Sequence, residues 1–432
     1  MSINAKDFMN QAGTFLRGRM PGQVIIQMTD YCNAKCPQCG MRVQEKFQRS
    51  KLEQDKVRRI IDRAAQNSVT ALSFTGGEPF LHTDELIGHI NHASKAGIRF
   101  IRTGTNAFFC MGSEKPDFED KIKRLAEKLA STELYTIWFS LDSWNAEVHE
   151  ESRGLPGVVK GMEKALPIFH EFGIHPSANL GINRHVACGK LPEKLDSEDA
   201  KQTFYSSFRE GFKRFYRNAA GLGFTIVNAC YPMSAEENAV YQAESADMMV
   251  SFTKTEKIQL FSALYDTIPE FRSELRIFTP RTSLLSLIRQ YSGDDYADYA
   301  CRGGLDFFYI DGVKGHAYPC GFRANDDFGP YENLDTTGGV PKADCRICDW
   351  ECFRDPSTLM GPVTEFFEHP AGLLSRVLND KQFFRLWMED LRYYKACDYF
   401  NCRQQPDYDK MAKHAEKQKA KKSVNLIEAV GS

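Results

Sequence analysis

Residues 23–42 read QVIIQMTDYCNAKCPQCGMR: a short β-branched apolar run ending at Thr29, then a polar loop that spaces three thiols as Cys32-x3-Cys36-x2-Cys39. The run has the length and composition of a buried strand, which puts the cysteines on the loop at its C-terminal end. The same type of run recurs as TALSFTG (70–76), IRFIRTG (98–104), YTIWFSL (135–141), HPSANLGI (175–182) and FTIVNAC (224–230). Between these runs lie stretches with apolar positions at helical spacing, such as LEQDKVRRIIDRAAQN (52–67), TDELIGHINHASKAG (83–97) and VVKGMEKALPIFHEFG (158–173). Strand, crossover helix and strand in repetition predict an α/β fold of parallel strands, a partial (βα)6 barrel of TIM-barrel type or a full one. In such barrels functional groups sit at the C-terminal strand ends, where the three thiols fall.

The formal net charge of -2 gives no global attraction to nucleic acid or to an anionic membrane. No apolar run reaches the roughly 18–20 residues of a membrane span. The first twenty residues lack a secretory pattern, so no membrane span and a cytoplasmic residence are expected. Thiols stay reduced there, and the thirteen cysteines read as metal ligands, catalytic groups or buried thiols. Cys110, Cys188 and Cys230 stand alone and read as small buried hydrophobes.

Soft thiolates on a short loop suit iron-sulfur or zinc. No fourth Cys or His follows at finger-like spacing, the next histidine being His82. Three ligands on a four-iron cube leave one iron open to a cofactor or substrate. A second motif, SFTGGEPF (73–80), closes the second strand. Gly76 and Gly77 are expected to let the backbone approach a ligand, and Glu78 to accept a charge-assisted hydrogen bond from an ammonium group.

The cysteine triad together with Gly76-Gly77-Glu78-Pro79 resembles the signature of the radical S-adenosylmethionine (SAM) superfamily. That resemblance implies a 4Fe-4S cluster on Cys32, Cys36 and Cys39, with SAM at the open iron and its methionine amino group received at the Gly-Gly-Glu-Pro turn. Reductive cleavage of SAM would yield a 5'-deoxyadenosyl radical that takes a hydrogen atom from a substrate. Gln38 stands where the family often has an aromatic residue near the adenine. The resemblance also implies a ribose contact at Ser140, a methionine-carboxylate partner at Arg153, a polar contact at Asn106 and an adenine-facing pair, Val227 and Asn228. For each of these a plain loop, strand or helix-cap role is the alternative. It implies a flavodoxin or ferredoxin-type electron donor, and it assigns no catalytic acid or base.

In the last third, FFYI, Asp311-Gly312 and VKGHAY predict a hairpin. Cys301, Cys320 and the pair Cys345-x2-Cys348 resemble the SPASM and twitch modules of certain superfamily members, which bind auxiliary clusters. Four cysteines complete one auxiliary 4Fe-4S cluster. Cys352, Cys397 and Cys402 remain as further candidate ligands, so two auxiliary clusters, or a structural zinc, are the alternatives. The expected division is an N-terminal extension (1–22), a core barrel (23–233), a helical bridge (234–300), a small α+β iron-sulfur module (301–402) and a lysine-rich tail (403–432). Only about twenty residues precede the first strand. This favours a small-molecule, cofactor-precursor or lipid-like substrate, with net oxidation or rearrangement. A peptide or protein maturase is the alternative. Readings of another class are a non-catalytic iron-sulfur carrier or scaffold and a zinc-binding interaction module.

Overall fold

The computed structural model describes residues 13–36, 39, 48–232, 248–294, 298–338, 343–346 and 348–418. All six strand-like runs form strands: β1 (Gly22–Thr29), β2 (Val69–Gly76), β3 (Phe100–Thr105), β4 (Leu134–Ser140), β5 (Ser177–Gly181) and β6 (Ile226–Cys230). They lie parallel and in chain order within one sheet. The helices between them are α1 (Gln54–Gln66), α2 (Thr83–Lys95), α3 (Phe118–Ala130), the pair α4 (Ala146–Arg153) and α5 (Val158–Glu171), and α6 (Glu198–Leu222).

Local sequence accounts for these boundaries. In α1 the buried residues Val57, Ile60, Ile61 and Ala64 recur at the spacing of a single helical face. The Asn145 side chain caps α4 by accepting from Glu147 N and Val148 N, and Gly154 ends that helix in the left-handed region at φ 65°.

Past β6, α7 (Lys254–Phe271) opens on a Thr253/Glu256 capping box, and the two-residue β7 (Arg276–Ile277) adds to the free edge of β6, followed by α8 (Arg281–Ser292). The expected hairpin forms between β8 (Phe307–Ile310) and β9 (Ala317–Tyr318), and β8 lies parallel to β1 in the main sheet. Its turn differs from the two-residue Asp-Gly form. Ile310 pairs with Ala317, so six residues make the loop. The Asp311 carboxylate organises it by accepting from the backbone N–H groups of Val313, Lys314 and His316. The strand order is β7-β6-β5-β4-β3-β2-β1-β8-β9, with unpaired ends, so the barrel is open. The helices α9 (Glu351–Glu368), α10 (Pro370–Asn379) and α11 (Lys381–Ala396) complete the C-terminal part.

Strand parity divides the side chains into two sets. Val24, Ile26, Ile137, Phe139, Ala178, Leu180, Val227 and Ala229 pack into the main core with the helices. Their alternates Ile25, Trp138, Ser140, Asn179, Asn228 and Cys230 line an interior cavity. At the opposite end of the barrel, residues 398–402 run across the strand starts. There Cys402 N donates to Tyr135 O, Arg276 donates to Asn401 O, and His175 N donates to Cys402 O. Asp398, Tyr399 and Phe400 all carry left-handed φ (55°, 53° and 63°), a strained turn that these contacts hold in place. None of the helices among the described residues is long and apolar enough to cross a membrane.

Candidate functional site

The cavity occupies about 500 Å3 inside the open barrel and reaches the C-terminal strand ends. Cys32, Cys36 and Cys39 open onto it from the loop after β1. That loop is tied on two sides. Lys35 N donates to Arg153 O at 2.7 Å, and Asn106 Nδ2 reaches both Asn33 Oδ1 at 2.9 Å and the Cys32 thiol at 3.8 Å. Gln38 lies outside the described residues. Burial raises the Cys32 thiol above its ordinary value, so ligation there requires a metal to displace the proton.

The glycine pair also has a reason within the fold, beside the expected approach to a ligand. A Cβ on Gly76 would lie 2.2 Å from Thr29 O, and one on Gly77 would lie 2.2 Å from Tyr31 O. Gly77 N and Glu78 N donate to those two carbonyls at 2.7 and 2.8 Å. The glycines therefore let β2 close directly onto the cysteine loop, and their backbone lines the cavity beside it. Glu78 is fully buried. Its Oε1 accepts from Phe80 N and Thr105 Oγ1, and its Oε2 accepts from Asn106 N. Three protein donors leave one lone-pair site for an ammonium group. Burial pushes the carboxyl up to about 7, and the hydrogen bonds limit the rise.

Arg153 lines the cavity with its guanidinium committed to Asp142, Nε to Oδ2 at 2.7 Å and Nη2 to Oδ1 at 2.9 Å. Burial works against both charges, yet each holds the other ionised. Asn106, Ser140 and Asn228 all face the cavity, with Asn228 Nδ2 donating to Asn179 Oδ1 at 2.9 Å. Val227 does not join them. It is the alternate position on β6 and packs in the core, because neighbouring residues of a strand cannot face the same side.

The C-terminal cysteines separate into three places. Cys301 and Cys345 form a β-bridge, Cys301 N donating to Cys345 O at 2.8 Å, and Cys320 and Cys348 lie within electrostatic reach of Cys301. Burial pushes the Cys301 thiol up to about 11 and the Cys320 thiol up to about 12. Arg354 on α9 braces this group by donating to Cys348 O at 3.0 Å. Cys352 borders the same apolar cluster as Cys301 and Cys320, but its thiol meets Glu351 Oε1 at 3.4 Å and lines the main cavity. Cys397 and Cys402 lie buried in the apolar core by the strand starts, near Tyr135 and Arg276. The structure thus brings together four of the seven candidates. No group of three or more His, Cys, Asp or Glu close enough to hold a single metal ion occurs among the described residues.

Several site residues escape a local reading of the sequence. Asp142, Arg102 and Trp138 show themselves only when strand parity is carried through the ends of β3 and β4. Glu351 and Asp355 are one helical turn apart on α9 and face the cavity, where Tyr231 OH donates to Asp355 at 3.3 Å. Burial raises both carboxyls, Asp355 the further of the two.

Residues 26–186 match the Radical SAM superfamily. The chain is 20% identical over 302 residues to the AdoMet-dependent heme synthase of Methanosarcina barkeri, a match covering 70% of this chain and 77% of that one. It is 29% identical over 147 residues to the GTP 3',8-cyclase of Alkaliphilus metalliredigens, covering 33% of this chain and 42% of that one. Among solved structures it is similar to Streptococcus suis SuiB bound to the precursor peptide SuiA, at 16% identity and a TM-score of 0.49, over 78% of this chain and 70% of that one.

Proposed function

Because this chain carries a radical SAM domain and is a radical SAM enzyme, we propose that it abstracts a hydrogen atom from a small-molecule, cofactor-precursor substrate, with net oxidation assisted by one auxiliary 4Fe-4S cluster. The observation that carries this reading is convergence: the thiol triad, the Gly76–Glu78 turn, Asn106, Ser140, Arg153 and Asn228 all meet at one cavity in an open parallel barrel. The heme synthase match, which runs over most of both chains, supports a substrate of the cofactor-precursor class.

A radical SAM domain implies a 4Fe-4S cluster and SAM, which when bound supply reductive carbon-sulfur cleavage and a primary carbon radical. The residues fit such a group. Cys32, Cys36 and Cys39 are soft donors on one tethered loop beside a fixed positive charge, Arg153. Glu78 holds the turn that abuts the loop and keeps one acceptor site open. Asp142 fixes the guanidinium plane of Arg153. The cavity lies inside the barrel, and radical chemistry needs its protein to keep bulk water from such a site. We assign the auxiliary cluster to Cys301, Cys320, Cys345 and Cys348, and an electron donor of flavodoxin or ferredoxin type to the reduction step.

The test is anaerobic reconstitution, reduction and addition of SAM, with 5'-deoxyadenosine read by mass spectrometry. Deoxyadenosine formed by the wild type and absent from the Cys32→Ala/Cys36→Ala/Cys39→Ala variant supports the reading. Reduced, iron-loaded wild type that makes none would refute it.

A further inference from the structure

Deep in the cavity, Arg102 on β3 and Trp138 on β4 form a floor that lacks an acceptor. Arg102 on β3 lies four residues before Asn106, which follows the strand, and so about 13 Å further into the barrel at the rise of a strand. Its guanidinium lies 5.6 Å from the centre of the Trp138 ring. Two donor atoms there have no hydrogen-bond partner among the described residues, Arg102 Nε and Trp138 Nε1, and both residues line the cavity. The ionisable groups whose charge would bear on Arg102 are Cys352 and Tyr135, each held neutral by burial, and no carboxylate among the described residues forms an ion pair with it. The cavity's other arginine is treated differently: Arg153 has a bidentate carboxylate of its own.

A buried donor without an acceptor is costly, and the half-buried charge of a guanidinium without a counter-charge adds to that cost. Fold stability alone would favour an apolar side chain at position 102. Two such donors side by side call for a ligand rich in acceptors and carrying negative charge. One guanidinium balances a single negative charge. A phosphate carries about 1.5 to 2 at neutral pH and would leave part of it uncompensated in a buried site, so the match is a carboxylate.

We propose that Arg102 and Trp138 are the anion-recognising floor of the substrate site, and that the substrate is a small molecule bearing a carboxylate; this rests on the radical SAM reading of the same cavity. Arg102 and Trp138 bind and orient, and no bond to either is made or broken.

The test uses the reconstituted full chain and three probes: glutarate, its neutral diamide glutaramide, and inorganic phosphate. Binding is followed by calorimetry, with melting temperature measured in parallel. Wild type should bind glutarate at least tenfold more tightly than glutaramide or phosphate. Arg102→Met should erase that preference while melting no lower than wild type without ligand, since it removes a half-buried charge and its unpartnered Nε. Trp138→Phe, which keeps the ring and removes the N–H, should weaken glutarate severalfold. The proposal is overturned if glutaramide or phosphate binds as well as glutarate, if Arg102→Met retains the preference, or if Arg102→Met melts several degrees lower, which marks a structural arginine. Equal weakening of glutarate and SAM in Arg102→Met also overturns it, because the anion recognised is then the cofactor's. Wild type that binds glutarate selectively and yet forms no deoxyadenosine would fail the proposed function and leave the anion floor standing.

Discussion

Replacing Gly77 by alanine adds one methyl group at the seam between β2 and the cysteine loop. The new Cβ would sit 2.2 Å from Tyr31 O, 2.6 Å from Tyr31 C and 2.9 Å from Asp30 O, all of them backbone atoms that cannot rotate away. Reaching a tolerable 3.0 Å requires a retreat of about 0.8 Å along the shortest contact. The same retreat stretches Gly77 N to Thr29 O and Glu78 N to Tyr31 O, now 2.7 and 2.8 Å, beyond the useful hydrogen-bond range of about 3.2 Å. Overpacking at about 1–3 kcal/mol and two weakened hydrogen bonds at about 1 kcal/mol each give a destabilisation of about 3–5 kcal/mol. For a chain of this length melting as one unit, that is a fall of about 3–5 °C. The φ of Gly77 is not in the left-handed region, so the effect is steric and not conformational. The assay pairs a thermal melt with iron analysis after reconstitution: Gly77→Ala should melt lower and lose the iron held by the triad. Gly88→Ala, the same change in open space on α2, should melt slightly higher, by about 1 °C. A Gly77→Ala protein that keeps wild-type iron and melts within about 1 °C of wild type refutes the seam argument.

The Asp142–Arg153 pair is buried and bidentate, so Asp142→Asn or Arg153→Met alone should each cost about 3–5 kcal/mol, and the double variant less than their sum. A coupling below about 1 kcal/mol in the double-mutant cycle removes the pair from its assigned role. His89 on α2 is buried beside Phe74, and burial lowers its pKa from 6.5 to about 4. The unfolded chain therefore takes up this proton first: the stability is fully present above pH about 6.5 and falls towards pH 4, by roughly 2–3 kcal/mol. His89→Leu should flatten that part of a denaturant-midpoint profile, and an unchanged slope would exclude His89 as its source. Cys301→Ala/Cys348→Ala should lower the iron content and leave the triad's iron in place. Cys397→Ala/Cys402→Ala should lower the melting temperature with no loss of iron, and iron loss in the latter would return those thiols to the ligand set.

The parts of the site legible in the sequence are those carried by contiguous residues. The triad loop, the Gly-Gly-Glu-Pro turn and the six strand runs all depend on chain-local spacing, and the structure places them where that spacing indicates. Val227 and Asn228 show the limit of strand order used without parity: one of the two had to point into the core, and the pattern did not say which. Glycines at 76 and 77 signalled close approach, and one partner is the backbone of residues 29–31, which only the parallel β1–β2 register brings near. Cys352, Cys397 and Cys402 could not be sorted from Cys301, Cys320, Cys345 and Cys348 by spacing. What separates them is which wall α9 presents to the cavity and which end of the barrel residues 398–402 cover. The place of FFYI beside β1 was equally hidden, since nothing local marks a partner far away in the chain.

That last pairing has a consequence for how the molecule is made. Gln23 meets Phe307 across the sheet, so the two partners lie 284 positions apart in the chain. At a synthesis rate of about 5–20 residues per second, the edge of β1 waits for about 15–60 s after it leaves the ribosome before β8 exists to cover it. During that interval the strand that launches the cysteine loop has a row of unpaired N–H and C=O groups, a template for pairing with another nascent chain. Any truncation that stops before β8 makes this waiting state permanent, and so should yield aggregated material even though all six core strands are encoded.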